Sequence, residues 1–355
     1  MRSNSLPLLN LQTALPKKAD CCPMRLGIAI QETWRFFNEI YQDLMEHYQT
    51  RLFTHQDWQL PIFKGRINHR LFQHNMQRFL QGNDVVFFEW ASELLVAASH
   101  LPKRCGIVTR LHRYELYRWS DKINWDAVDR IIVVSKAKER EFALKFPQHA
   151  AKLVTSRPSI ALQQFTLKPK RFNGDIGLLC HLLPRKRVYD LILVFYELSQ
   201  QLDGIHLHIG GGHDLTNQDY HDALHYLVRE LHLADKVTFY GPVNEPWHWY
   251  DQIDIFISNS YSEGLQVAPM EAMASGCYCL SHRWDGAEEL LPQENLFFTN
   301  RELETKILQY CALPEMEKQK QRAQMRDHAC AEFDIEVTKQ QIRTVIDEVG
   351  AHFRH

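Results

Sequence analysis

The chain has 355 residues, a formal net charge of -2, and 45% hydrophobic against 24% charged residues. This balance excludes long disorder, a fibrous chain and a protein held on nucleic acid by a general basic surface. At roughly 100–200 residues per domain the length suggests two domains.

Residues 1–23 read as a loose leader, because Pro7 and Asn10 break its one apolar patch and no signal-peptide core follows. Apolar runs at 24–30, 51–53, 84–88, 106–112 and 129–135 read as strands. Helical spacing fits 33–48, 67–82, 92–99 and 136–146 between and after them. The stretch 67–82 pairs an apolar stripe with His69, Arg70 and Arg78. Such a helix either packs on a core or lies on an anionic membrane surface. The segment 156–174 holds two prolines and no clear period, and is the candidate linker. A second alternating run follows, with strands at 175–181, 205–211, 236–241, 253–258 and 277–281. Helices fit 188–202, 217–232, 246–252 and 266–275, and residues 301–355 read as mostly helical. Strands alternating with helices predict two α/β domains with parallel sheets. No run of about 18 apolar residues predicts a membrane-spanning helix. Eight cysteines without paired metal spacing do not form a disulfide framework, and a reduced cytoplasmic setting is expected. Cys277 and Cys279 read as small core residues, and the histidines of 206–213 as packed or surface groups rather than metal ligands.

The segment 253–291 is the most informative. A buried strand ends near Ser258, the polar loop NSYSEG follows, and a helix begins near Leu265–Gln266 and ends at Gly276. In open α/β sheets, ligands sit beyond the carboxyl ends of strands. A helix N-terminus there suits a phosphate, and Gly264 permits close approach to the backbone. Glu263 before the helix and Glu271 within it accept hydrogen bonds only, which matches sugar and ribose hydroxyls. This order outlines a nucleotide sugar.

The spacing Glu263…Glu271 in SEGLQVAPMEAMASG resembles the signature of family-4 retaining glycosyltransferases of the GT-B fold. KVTFYGPVNEP, LHIGGG, GLLCHLLPRKRVYDLI, DGAEELL and DRIIVVSKAKEREF resemble further segments of that family. The resemblance implies two Rossmann-like, doubly wound domains facing a cleft. The boundaries expected are an acceptor-side domain at 24–158, a linker at 159–174 and a nucleotide-sugar domain at 175–335. A final helix at 336–355 would return to the first domain.

It also implies site roles. Glu271 would hold the ribose, Glu263 would lie near the transferred sugar, and the backbone of Gly264, Leu265 and Gln266 would hold phosphate. Lys186 would neutralise the departing diphosphate, and His112 would approach the donor. His181 stands where the family usually has an arginine, so Arg185 or Arg187 is the candidate replacement. Arg110 and Arg113 are candidate phosphate or acidic-acceptor contacts, and Glu89 and Trp90 candidate acceptor-side residues. QETWRFF (31–37) replaces the family's glycine-rich loop.

The reaction implied moves a hexose-type sugar with retention from a nucleotide-diphosphate sugar, such as a UDP- or GDP-sugar. The acceptor would be a glycan or lipid-linked molecule in surface polysaccharide or lipopolysaccharide synthesis. No cofactor, no obligatory metal and no nucleic acid is expected, and peripheral contact with the inner face of a membrane is the alternative to a core-packed helix at 67–82. One competing reading is a catalytically silent GT-B protein that binds sugar nucleotide. A nicotinamide-dependent oxidoreductase is another, although no G-x-G-x-x-G follows a strand and opens a helix.

Overall fold

The computed structural model describes residues 23–34, 37–55, 64–213 and 215–353, with the backbone alone for 64–67. The expected leader thus lies outside the described residues except for Pro23. The first domain comprises β1 (Arg25–Ala29), α1 (Asn38–His47), β2 (Gln49–Leu52), α2 (Lys64–Gln81), β3 (Val85–Phe88), α3 (Glu93–Ser99), β4 (Gly106–Leu111), α4 (Arg113–Arg118), β5 (Arg130–Val133), α5 (Lys136–Lys145) and β6 (Leu153–Thr155). The second comprises β7 (Asp175–Leu179), α6 (Val188–Ser199), β8 (His206–Gly210), α7 (Gln218–Glu230), β9 (Val237–Gly241), α8 (Pro246–Tyr250), β10 (Ile255–Ser258), α9 (Val267–Ala274), β11 (Tyr278–His282) and β12 (Leu296–Phe297). Three helices close the chain: α10 (Asn300–Ala312), α11 (Glu315–Glu332) and α12 (Ile335–Gly350).

Each domain has one six-stranded parallel sheet, ordered β2-β1-β3-β4-β5-β6 and β12-β11-β10-β7-β8-β9. Helices cover both faces, so the central strands read as unbroken apolar runs; every residue of β3 (VVFF) and β10 (IFIS) is buried. The strand order reverses between β1 and β3 in one sheet and between β7 and β10 in the other. Ligand crevices open at such points, beyond the carboxyl ends of the strands.

Some local expectations change. Helix α1 starts at Asn38, later than expected, with Phe37 as its N-cap residue. The short edge strands β6 and β12 have too few residues to show a period. Along 159–174, Ile160, Ala161 and Phe165 are buried, and Arg322 donates to the Lys168 and Lys170 carbonyls. The apolar stripe of α2, including Met76, Phe79 and Leu80, packs into the first domain's core. That stripe is therefore not free to enter a bilayer, while Arg70 and Arg78 are exposed. Among the described residues, no helix is long and apolar enough to cross a membrane.

Several sets of contacts tie the domains together, two of them away from the loop after β10. The chain crosses back beside its first crossing, where Ile160 pairs with Asp334, and α12 then buries Ile342, Val345, Ile346 and Val349 against the first sheet. At the second contact Glu289, from the second domain, caps α5 of the first. Its carboxylate accepts the Lys136 and Ala137 N–H groups, each at 2.8 Å. Ser135 Oγ accepts the next, from Lys138 at 3.2 Å. Gly286 is required here for two reasons: its φ is 104°, and a Cβ would meet that of Ala137 at 2.7 Å. Glu289→Ala removes two charge-assisted caps and is expected to cost about 1–2 kcal/mol. Thermal unfolding should show a lowered Tm; an unchanged Tm would mean that the contact adds nothing to stability.

Candidate active site

The loops after β7 and β10 meet at the second sheet's reversal point. The first contains Pro184–Lys186, and Arg187 closes it in the left-handed region with φ 51°. The second is zipped onto it. Asn259 donates to the Arg187 carbonyl at 2.9 Å, Tyr261 N–H to the Arg185 carbonyl at 3.2 Å, and Arg185 to the Ser262 carbonyl at 2.7 Å. At the centre lies Glu263, 8% exposed. One of its oxygens accepts Lys186 Nζ at 2.7 Å and also the Arg185 guanidinium. Burial alone would raise this carboxyl, but Lys186 and Arg185 outweigh it and hold Glu263 below the usual carboxylate range. Arg187 turns instead to Asp190 and Asn300. Arg185 is therefore the arginine beside Lys186. His181 is exposed on the same loop.

Helix α9 starts at Val267, slightly later than expected, with Gln266 as its N-cap residue. No side chain caps it, and Pro269 has no N–H to offer. Gly264, Leu265 and Gln266 thus lead into the helix rather than forming its first turn. Ser258 Oγ and Ser260 Oγ hold the Gln266 amide. A Cβ on Gly264 would lie 3.1 Å from Val134 Cγ2 and 3.4 Å from Arg113 Cβ, so this loop packs directly on the first domain. Arg113 Nε donates to Ser262 Oγ at 2.8 Å across the same seam.

Glu271 lies one turn into α9. Tyr250, not among the residues expected at the site, donates to its carboxylate at 2.9 Å and to the Ala268 carbonyl at 3.1 Å. Burial and the Glu271 charge push the Tyr250 hydroxyl well above its ordinary pKa, so it remains a donor. Its signal was the aromatic run PWHWY, which marks burial but not orientation.

Across the seam, His112 follows β4 and stacks on Trp90 with ring centroids 4.1 Å apart. Its Nε2 lies 3.2 Å from Glu89 Oε1, which also accepts Arg110 Nη1 at 3.2 Å. Glu89 and Arg110 are 0% and 1% exposed. The expectation that Arg110 meets a phosphate or acidic acceptor is therefore corrected: Glu89 holds it in the core. Glu89 likewise lies behind His112 rather than on the cleft wall. Burial lowers the His112 pKa, and Arg110 adds to this.

His208 is bonded to Asp175 and Tyr240, at 2.8 and 2.7 Å. Cys277 and Cys279 are buried, and burial pushes the Cys277 thiol up to about 12.

Two facing Rossmann-like domains joined in this way define the GT-B class of fold. Residues 175–328 match the family model of glycosyl transferases group 1. HepE of Anabaena, solved with UDP and glucose, superposes with a TM-score of 0.74 at 18% identity, covering 92% of this chain and 100% of that one. An N-acetyl-alpha-D-glucosaminyl L-malate synthase of Bacillus anthracis is 27% identical over 106 residues, 30% of this chain and 26% of the relative. A D-inositol 3-phosphate glycosyltransferase 2 of Catenulispora acidiphila is 26% identical over 177 residues, 45% of this chain and 42% of the relative. The chain thus matches less than half the length of either curated relative.

Glu271→Ala is expected to weaken UDP binding about 5- to 150-fold, if one or two charged hydrogen bonds to a ribose are lost. Tyr250→Phe should weaken it less, since only the orienting bond goes. Titration calorimetry checks both; unchanged affinity in both variants removes Glu271 from the ribose. A second expectation concerns Glu115, whose carboxylate accepts the His112 N–H at 3.2 Å. Burial raises its pKa from 4.5 to about 8. The folded chain therefore binds the extra proton, so this group's contribution falls as pH rises from about 4.5 to about 8 and is lost above that. Unfolding across that range should show Glu115→Gln flattening the decline; an unaltered slope would assign it to other groups.

Proposed function

We propose that the protein is a retaining glycosyltransferase that moves a hexose from a nucleotide-diphosphate sugar to a glycan or lipid-linked acceptor. The observation that carries this is the convergence of Arg185 and Lys186 on buried Glu263, beside the uncapped start of α9. Two cations and free backbone N–H groups suit a diphosphate, and Glu263 beside them suits the hydroxyls of its sugar. The UDP held by HepE supports UDP as the first nucleotide to test.

In the reaction the bond from the anomeric carbon to the phosphate oxygen breaks, and a bond to the acceptor oxygen forms on the same face. The leaving phosphate takes the acceptor's proton. Negative charge grows on that phosphate as the bond breaks, so Lys186 and Arg185 act more strongly in the transition state than before it. Arg185 supplies the charge that His181 does not. With two fixed cations at the diphosphate, no metal is required of the mechanism. Lys186→Ala should lower kcat for transfer or donor hydrolysis about 100-fold or more, on the scale of one lost electrostatic contact. UDP affinity should fall by much less. A thermal-shift screen against UDP, GDP, ADP and their sugars, followed by sugar release from the stabilising donor, tests the reading. Stabilisation by none of these, or sugar release unaltered in Lys186→Ala, would sink it.

A further inference from the structure

Three histidines and a phenylalanine form a column of rings on the second domain. His213 lies in the loop between β8 and α7, His221 and His225 stand one turn apart on α7, and Phe239 lies on β9. His213 stacks on His221 with ring centroids 3.8 Å apart. His225 meets His221 at 4.5 Å, and Phe239 backs His225 at 4.1 Å. His213 is fixed from outside the column, since its Nε2 lies 2.9 Å from Gln218 Oε1. The two α7 rings instead aim nitrogen at nitrogen: His225 Nε2 lies 3.2 Å from His221 Nε2.

We infer that His221 and His225 form an open binding site for a divalent transition-metal ion of the zinc, nickel or copper class. Residues four apart on a helix share one face. Imidazole nitrogen suits these ions, whereas magnesium and calcium take oxygen ligands. A metal–nitrogen bond of about 2.0–2.1 Å sets two ligand nitrogens about 2.9 Å apart at a right angle and about 3.4 Å apart at the tetrahedral angle. The observed spacing of 3.2 Å falls between these. Two neutral imidazoles can also share one N–H hydrogen bond at this distance, so an ion competes with that single bond. The rings are held in place by their neighbours before any ion arrives, which lowers the cost of ordering the ligands.

The surroundings of His221 fit the ligated state. With both Nε2 atoms on an ion, each ring carries its hydrogen on Nδ1. His221 Nδ1 is buried without a hydrogen-bond partner, and Asp222 Oδ1 lies 3.8 Å from it. Gln218 Nε2 donates to that carboxylate oxygen at 2.8 Å. A closure of about 1 Å would let His221 donate to Asp222. A carboxylate behind a metal-bound histidine fixes its tautomer and raises its basicity. Among the described residues no group of three or more His, Cys, Asp or Glu side chains forms a metal cage, so water would complete the shell. His225 is exposed and His221 half-buried, which leaves the ion a path from solvent. None of these residues is among those assigned to the donor, so the inference is independent of the glycosyltransferase reading.

The test uses the full, untagged chain, stripped of metal with a chelator and titrated with Zn2+ by calorimetry. Wild type should bind one equivalent more than His221→Ala or His225→Ala, and Zn2+ should raise its Tm by more. Should an alanine variant fail to fold, His225→Phe keeps a ring against Phe239, removes the nitrogen and should lose the same equivalent. Asp222→Asn should keep the equivalent but weaken it about tenfold. His213→Phe, which keeps the stack, should retain it. Equal zinc stoichiometry in wild type and the His221 and His225 variants would overturn the inference. So would loss of the equivalent in His213→Phe, or Mg2+ binding that depends on the same pair.

Discussion

A buried carboxylate is costly unless cations meet it, and Glu263 is such a group. Arg185 and Lys186 satisfy it from a different loop. The sheet already sets β7 beside β10, and this requirement ties the loops that follow them to each other at the approach to α9. It also explains the strained Arg187, whose left-handed backbone turns the chain so that its two predecessors face Glu263 and its own side chain faces away. Removing either cation would leave the charge under-compensated, so loop geometry and electrostatics stand or fall together.

The second constraint is how the halves face each other. α12 covers the first sheet, Glu289 caps α5, and Gly264 packs on Val134 and Arg113. The last of these contacts is made by the proposed donor loop itself. Movement of one domain against the other therefore disturbs the segment on which Glu263 sits. In this arrangement the corner around Trp90 and the loop around Glu263 are neighbours.

Much of the fold was legible because parallel strands covered on both faces must be apolar throughout, and VVFF, IIVV and IFIS read that way at once. The alternation of strands and helices then leaves few topologies. The edge strands β6 and β12 were illegible because two or three residues have no period.

For the site, sequence alone determined which residue types stand near strand ends: Glu263, Gly264, Glu271, Arg185, Lys186 and His112. Their spacing along the chain is a local property. Only the tertiary structure decided that Arg185 rather than Arg187 joins Lys186, that Arg110 is held by Glu89, and that Tyr250 orients Glu271. The reason is physical. A side chain's partner far along the chain depends on strand order and backbone direction, and a charge in a sequence carries no sign of whether another charge already occupies it.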